Sequence, residues 1–385
     1  MHLLFNHPLS SYYLLTAATL LLLVLGLVMV LSASSILSFQ TMGSSYTLAE
    51  RQLLFAVIGV VLMFLSARTS PHFWKGIAPA LVGFAFIGLL AVLVIGVTVN
   101  GQKNWIDLVG PLRFQPSEFA KIALVIWGAD HLSRNRREVY SWKTLLIPVL
   151  PVALAMMVLI LMEGDFGNTF LIALILMGML FAMGVPRKFF YVSGGLMLFT
   201  TWVMTLIAPY RMSRFTSWLH PGSDPLGIGW QVSQGQLALG TGGFLGVGIG
   251  ASREKWGSLP EAHTDFIYSV IGEELGLVGT LTVLVLLAAL AFAIFRLARN
   301  SKDPFVRLAT VGVGVWLTAQ GLWNVGSVLG LLPITGVALP LVSYGGSSLV
   351  PTLVAIGMLL SFARQEPAAR SALRRKQTAR SLRRR

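Results

Sequence analysis

A chain of 385 residues that is 55% hydrophobic and 11% charged lacks the ionisable groups that coat a water-soluble surface, where about 25% of residues are charged. It has no cysteine, which excludes disulfides, thiol catalysis and cysteine metal sites. The net charge of +14 does not point to nucleic acid: nine of the 29 Lys and Arg residues follow Ser361, and no recognition module fits between the apolar runs, so no nucleic acid is expected as a partner.

The apolar runs reach about 20 residues without period-2 alternation, enough to cross ~30 Å of hydrocarbon as helices. In chain order they predict spans at 12–34, 50–67, 77–97, 118–132, 144–161, 167–184, 188–208, 266–296, 306–330 and 347–363. The first is too long for a signal-peptide core and has no basic residue before it, so it reads as a retained span. The fourth is interrupted by Glu118, Lys121 and Asp130, and the fifth holds Pro148 and Pro151. Two connecting segments are longer, 98–117 and 209–265. The second carries Trp218, Trp230, Trp256, Phe215 and Phe244 among many glycines. It is expected to fold back onto the bundle, with 231–240 (QVSQGQLALG) as a short interfacial or re-entrant helix. The expected fold is therefore an all-α polytopic membrane protein of about ten transmembrane helices, spanning 1–363. A large extracytoplasmic loop joins helices 7 and 8, and a basic cytoplasmic tail covers 364–385.

Orientation follows from counting basic residues. With both termini cytoplasmic, 21 Lys and Arg fall on the inner side and eight on the outer, which matches the positive-inside bias. The tail then lies against an anionic leaflet.

Most of the 15 acidic residues fall at the outer face. Glu118 and Lys121 are three apart on one helix face. They read as a salt bridge that makes both tolerable in lipid, as a carboxylate and cation lining an outer cavity, or as both at once. Glu273 and Glu274 enter the eighth span about 12 Å deeper than Asp265 and on other faces. Neither makes a dyad with Asp265, and structural partners are expected. Asp265 itself begins the eighth span. Alone it reads as a helix N-cap, with Thr264 competing for the role. Its neighbours Glu261 and His263, below a loop bearing Arg211, Arg214, Arg253 and Lys255, also suit a base beside an anionic substrate. Glu261, His263 and Asp265 are a weak candidate for a divalent cation, Mg or Mn, held with substrate oxygens. There is no Walker loop and no HExxH, and the run GTGGFLGVGIG follows no strand–helix unit.

Seven motifs in order carry a resemblance: NGQKNWIDL (100–108), FQPSEFAK (114–121), EGDFGNT (163–169), YRMSRF (210–215), GWQVSQGQLALGTGGFLGVGIG (229–250), LPEAHTDFIYSVIGEELG (259–276) and GLLPITGVALPLVSYGGSSLV (330–350). The chain resembles the SEDS family (shape, elongation, division and sporulation) of ten-span peptidoglycan glycosyltransferases along nearly its whole length. EAHTDFI and the closing SYGGSSLVPTLVAIGMLLSFAR resemble the division branch, with the elongation branch as the near alternative.

The resemblance implies polymerisation of lipid II on the outer face of a bacterial cytoplasmic membrane, at the septum for a division enzyme. It implies as partners a class B penicillin-binding protein transpeptidase and other division-complex membrane proteins. The family's essential aspartate matches Asp265, and its outer-cavity pair matches Glu118 and Lys121. With these, Lys103, Trp105, Arg113, Arg211, Arg214, Glu261, His263 and Ser343 are the candidate substrate-binding residues. One departure is Glu163–Gly164, where many members carry Gln-Pro.

In the implied reaction the acceptor hydroxyl attacks the donor's anomeric carbon and pyrophosphate leaves. That leaving group needs its charge neutralised more than it needs a proton, so one base plus cations suffices, with inversion at carbon. A lipid II flippase and a scaffold that only positions the transpeptidase are the readings from other classes.

Overall fold

In this computed structural model residues 9–99, 101–107, 113–134, 142–207, 212, 216–220, 227–257 and 259–366 are described. Each predicted span is a helix: α1 Ser10–Met42, α2 Thr47–Ser66, α3 Pro71–Ile95, α4 Pro116–Arg134, α5 Trp142–Met162, α6 Phe166–Met183, α7 Arg187–Ile207, α9 Ile267–Asn300, α10 Pro304–Val328 and α11 Gly346–Arg364. Between α7 and α9 lies a shorter helix, α8, Ile228–Gly242. It covers the predicted interfacial segment and packs along α9.

Burial sorts the helices. Among the described residues α4, α10 and α11 are the most buried, with Trp316, Lys121 and Phe362 fully enclosed. By contrast α3 and α7 expose large apolar side chains such as Ile87, Tyr191 and Val192, the surface a lipid-facing helix presents. Among the described residues, seven helices are long and apolar enough to cross a membrane by length and composition alone. α4, not among them, carries Glu118, Lys121, Asp130 and Arg134; the bundle encloses the first three, and Asp130 pairs with the exposed Arg134 at 2.6 Å.

Two helices are much longer than one membrane crossing needs. α1 has 33 residues and α9 has 34, which at ~1.5 Å per residue is about 50 Å each, against ~30 Å of hydrocarbon. Hydropathy sees only the apolar part: α1 runs eight residues past its expected end at 34, whereas α9 starts within one residue of expectation and runs four residues past 296.

α9 is broken at Gly276, at φ 64° and ψ −157°, a region open essentially to glycine alone. The break exposes backbone groups that the re-entrant segment after α8 pairs with. Val247 N–H donates to Glu273 O at 2.9 Å and Gly248 N–H to Glu274 O at 3.0 Å, while Leu277 N–H donates to Gly243 O at 2.9 Å. This is how irregular backbone is tolerated near membrane depth. A Cβ on Gly276 would sit 2.4 Å from Gly246 N. Gly276→Ala is therefore expected to destabilise the protein by about 3 kcal/mol or more. Limited proteolysis of 243–257 would report it, and unchanged protection would contradict this account of the break.

The segment 98–117, expected to be a loop, instead contains a three-stranded antiparallel sheet: β1 Val97–Val99, β2 Gln102–Asp107 and β3 Arg113–Phe114. Thr98 faces Lys103 and Asp107 faces Arg113. The strands are too short for alternation to register, but Asn100–Gly101 is a hairpin signal that hydropathy reading passes over. The large loop does fold back: Trp218 Nε1 donates to Gly330 O at 2.9 Å and Gln236 Nε2 to Leu329 O at 3.3 Å.

Candidate active site at the Asp265 end

The turn before α9 sets Asp265. Glu261 adopts a left-handed backbone at φ 55°, which folds the chain so that Thr264 N–H and Phe266 N–H both donate to Glu261 O. Thr264 Oγ1 donates to Glu261 Oε2 at 2.7 Å. The N-cap residue of α9 is Phe266, without a side-chain capping bond. The expected cap at Asp265 or Thr264 is thus replaced by this turn, because the helix starts one residue later than an Asp265 cap requires and two later than a Thr264 cap. Asp265 is half-buried. A Cβ on Gly336 would lie 3.7 Å from its Oδ2, an ordinary van der Waals contact, so this glycine borders the carboxylate.

The backbone under Asp265 is held from one side at three successive carbonyls. His263 O accepts Tyr344 N–H at 2.9 Å, Thr264 O accepts Ser343 Oγ–H at 2.6 Å, and Asp265 O accepts Asn324 Nδ2–H at 2.9 Å. Gln52 of α2 holds that clamp in turn, donating to Ser343 O at 3.2 Å and accepting Gly345 N–H at 3.1 Å.

Glu118 and Lys121 form the buried salt bridge of the two readings left open, at 2.8 Å. Lys121 Nζ also donates to Asn168 Oδ1 at 3.0 Å and Gln320 Oε1 at 3.3 Å, and lies 5.1 Å from the centre of the Trp316 ring. An ammonium has three protons, and these acceptors use all of them. Gln320 and Asn324 are one turn apart on α10, which places the pair about 6 Å further along the bundle than the Asp265 backbone.

Other expected substrate contacts have different work. Lys103 Nζ donates to Leu93 O at 2.7 Å and Val94 O at 3.2 Å, neutralising the carbonyl end of α3. Ser343 is 3% exposed, and its one proton goes to Thr264 O. Ser343 therefore has no further proton to offer a ligand, whereas Lys103 keeps one of its three. Trp105 is half-buried in β2 opposite Val97. Arg113 is exposed, with Nε 3.0 Å from Asp107 Oδ1. Arg211 and Arg214 lie outside the described residues. Burial pushes His263 below its usual range against the opposing pull of Glu261, so the imidazole is neutral near pH 7 and not one of the site's cations. Glu261, His263 and Asp265 do not converge on a cation: among the described residues no three His, Asp or Glu side chains are placed to share a metal ion.

The remaining carboxylates nearby are committed. Asp165 caps α6 and accepts from Asn168 N at 2.9 Å, Asn168 Nδ2 at 2.9 Å and Gln115 Nε2 at 3.0 Å. Glu273 accepts from Ser252 Oγ at 2.5 Å and Arg253 N at 2.8 Å. Glu274 accepts from Ser32 Oγ at 2.6 Å and Lys255 Nζ at 3.3 Å, the structural partners expected for this pair.

Glu163, in the turn between α5 and α6, is 1% exposed with neither carboxylate oxygen hydrogen-bonded. Burial, with Asp165 beside it, pushes its pKa up to about 9. At neutral pH it is an un-ionised acid, close in shape and polarity to glutamine. In the unfolded chain it ionises from about pH 4.5, so folded stability falls as pH rises from there to about 9, by up to ~1.4 kcal/mol per unit. Glu163→Gln removes that loss. Its melting-temperature advantage over wild type should widen from pH 5 to 9 and then level off; a constant difference would contradict the assignment.

Two residues at this end were not singled out from sequence. Burial raises the Tyr344 phenol, while Arg51, hydrogen-bonded to it, and Arg113 pull it down. Arg51 thus joins Arg113 as a cation beside the clamp. The signal was available in the polar triplet Glu50–Arg51–Gln52 at the mouth of an apolar span.

The family model described as "Cell cycle protein" (FtsW/RodA/SpoVE) matches residues 12–368. The probable peptidoglycan glycosyltransferase FtsW of Mycobacterium tuberculosis is 41% identical over 371 residues, covering 96% of this chain and 71% of that protein. Stage V sporulation protein E of Bacillus subtilis is 38% identical over 92% of this chain and 97% of its own. A chain from a peptidoglycan synthase complex, solved to examine its coordination of polymerization and crosslinking, superposes with TM-score 0.70 at 32% identity, covering 89% of this chain and 96% of that one. The rod shape determining protein RodA of Thermus thermophilus superposes with TM-score 0.67 at 29% identity over 92% and 96%.

Proposed function

Since the chain belongs to the SEDS family of FtsW, RodA and SpoVE, we propose that it is a peptidoglycan glycosyltransferase of the division type. It would join lipid II disaccharides into glycan strands on the outer face of a bacterial cytoplasmic membrane, with Asp265 as general base. The supporting observation is a half-exposed carboxylate that does not cap its helix, set on a clamped backbone and bordered by a glycine.

The Asp265 carboxylate takes the acceptor hydroxyl's proton as that oxygen bonds to the donor's anomeric carbon. The anomeric C–O bond to undecaprenyl pyrophosphate breaks, and its electron pair leaves with the pyrophosphate. Attack opposite the leaving group inverts the α-linked donor to a β-glycan. Arg51 and Arg113, with Arg211 and Arg214 of the large loop, supply cations for the departing charge. The Asp265 end then faces outward and the basic tail inward, in line with the positive-inside count.

The synthase complex similar to this chain couples polymerization to crosslinking, which supports a class B penicillin-binding protein as partner. The complex with that partner, given labelled lipid II in detergent, should make glycan strands. In detergent no flipping is required, so a flippase or scaffold would make none. Absence of strands from a demonstrably assembled complex would remove the polymerase reading.

A further inference from the structure

The amide of Asn324 uses both of its protons on backbone carbonyls of two different segments. Nδ2 donates to Asp265 O at 2.9 Å and to Val337 O at 2.9 Å. The first acceptor belongs to the residue that carries the base. The second lies beside Gly336, where a Cβ would come within 3.7 Å of Asp265 Oδ2. One side chain on α10 therefore sets the separation between the base and the loop that borders it.

Its surroundings are costly, which argues against simple filling of space. Asn324 is 1% exposed, and its Oδ1 is buried with no donor among the described residues. A buried acceptor without a donor costs about 1–3 kcal/mol. Leucine has the same branched shape and carries no such cost. One turn earlier Gln320 donates to Ala338 O at 2.8 Å while accepting from Lys121 at 3.3 Å and from Trp316 Nε1 at 2.7 Å. The two amides thus pin successive residues of one loop, but only Asn324 reaches the Asp265 segment.

We infer that Asn324 is a positioning residue for the glycosyl-transfer step, acting through the Asp265 peptide to hold the base against the acceptor hydroxyl. The inference rests on Asp265 being that base. Asn324 does not touch the reacting atoms. Its loss should leave lipid II binding intact and misplace the carboxylate, and a displacement of about 1 Å can cost ~100-fold.

The test uses the full chain assembled with its transpeptidase and labelled lipid II, with rates expressed per assembled complex. Asn324→Ala and Asn324→Leu should each lower kcat tenfold or more with KM changed less than threefold, the mark of an interaction that matters in the transition state. Ser361→Ala, which removes a buried hydroxyl's bond to Thr69 O at the opposite end, serves as the comparator and should keep wild-type kcat. Wild-type kcat in Asn324→Leu would overturn the proposal, because shape alone would then suffice. A KM rise matching the kcat loss would overturn it too, as would a kcat loss no larger than that of Ser361→Ala. If neither variant assembles, Asn324→Ser, which keeps one donor, is held to the same criteria. Hydrogen exchange of 259–266 in the intact complex provides an independent reading: protection equal to wild type in Asn324→Ser would also count against the clamp. Asp265→Asn measured alongside separates the two claims. Full activity there removes the base, whereas an inactive Asp265→Asn with fully active Asn324 variants removes only the positioning role.

Discussion

Asp265→Asn should lower glycan polymerisation by about 10²- to 10⁴-fold, the usual contribution of a positioned general base. Asparagine matches aspartate in size and leaves the three clamped carbonyls untouched, because those contacts are made by the backbone. Assembly with the transpeptidase and KM for lipid II should therefore stay near wild type while kcat falls. The measurement is strand formation from labelled lipid II, with complex assembly checked by size-exclusion chromatography. Strands at wild-type rate would eliminate Asp265 as the base. The prediction is sharpened by the state of its neighbours. Asp165, Glu273 and Glu274 are each held by several donors, and Glu163 is un-ionised at neutral pH. None is ready to substitute.

The second large effect is expected at Lys121. Lys121→Met keeps most of the volume of a fully buried side chain but leaves the Glu118 carboxylate without its cation, and Asn168 Oδ1 without that donor. Removing one partner of a buried ion pair typically costs about 3–5 kcal/mol. The expected result is a large loss of melting temperature and of assembled complex, with activity falling in proportion to folded protein. Glu118→Gln combined with Lys121→Met removes the stranded charge and should recover a substantial part of the stability. If the double variant is no more stable than Lys121→Met alone, the pair is not the stabilising unit described here. A selective loss of kcat in a fully stable Lys121→Met would instead support the cavity-lining reading.

The span pattern was legible because it depends on a one-dimensional property. Twenty apolar residues in a row are a helix in lipid whatever surrounds them, since no water is present to satisfy the backbone. The motifs at 163–169, 259–276 and 330–350 marked the segments that meet around Asp265. What could not be read was how donors and acceptors are shared among them. Ser343 belonged to the right motif and was expected at the substrate, yet the structure gives its one proton to Thr264, and it gives two of the three Lys103 protons to α3. The small sheet was missed because strands of two to six residues are shorter than any periodicity test can use.

From sequence alone came the membrane class, the ten helices, the family and the aspartate, each carried by local composition or by a contiguous motif. Tertiary structure decided that Asp265 is not a helix cap, that Lys121 is fully enclosed, and that Asn324 and Arg51 stand beside the site. Those facts depend on groups far apart in the chain, as Gln52 and Gly345 are at 293 residues. A hydrogen bond between such groups is fixed by how helices pack, and packing leaves no trace in the order of residues along the chain.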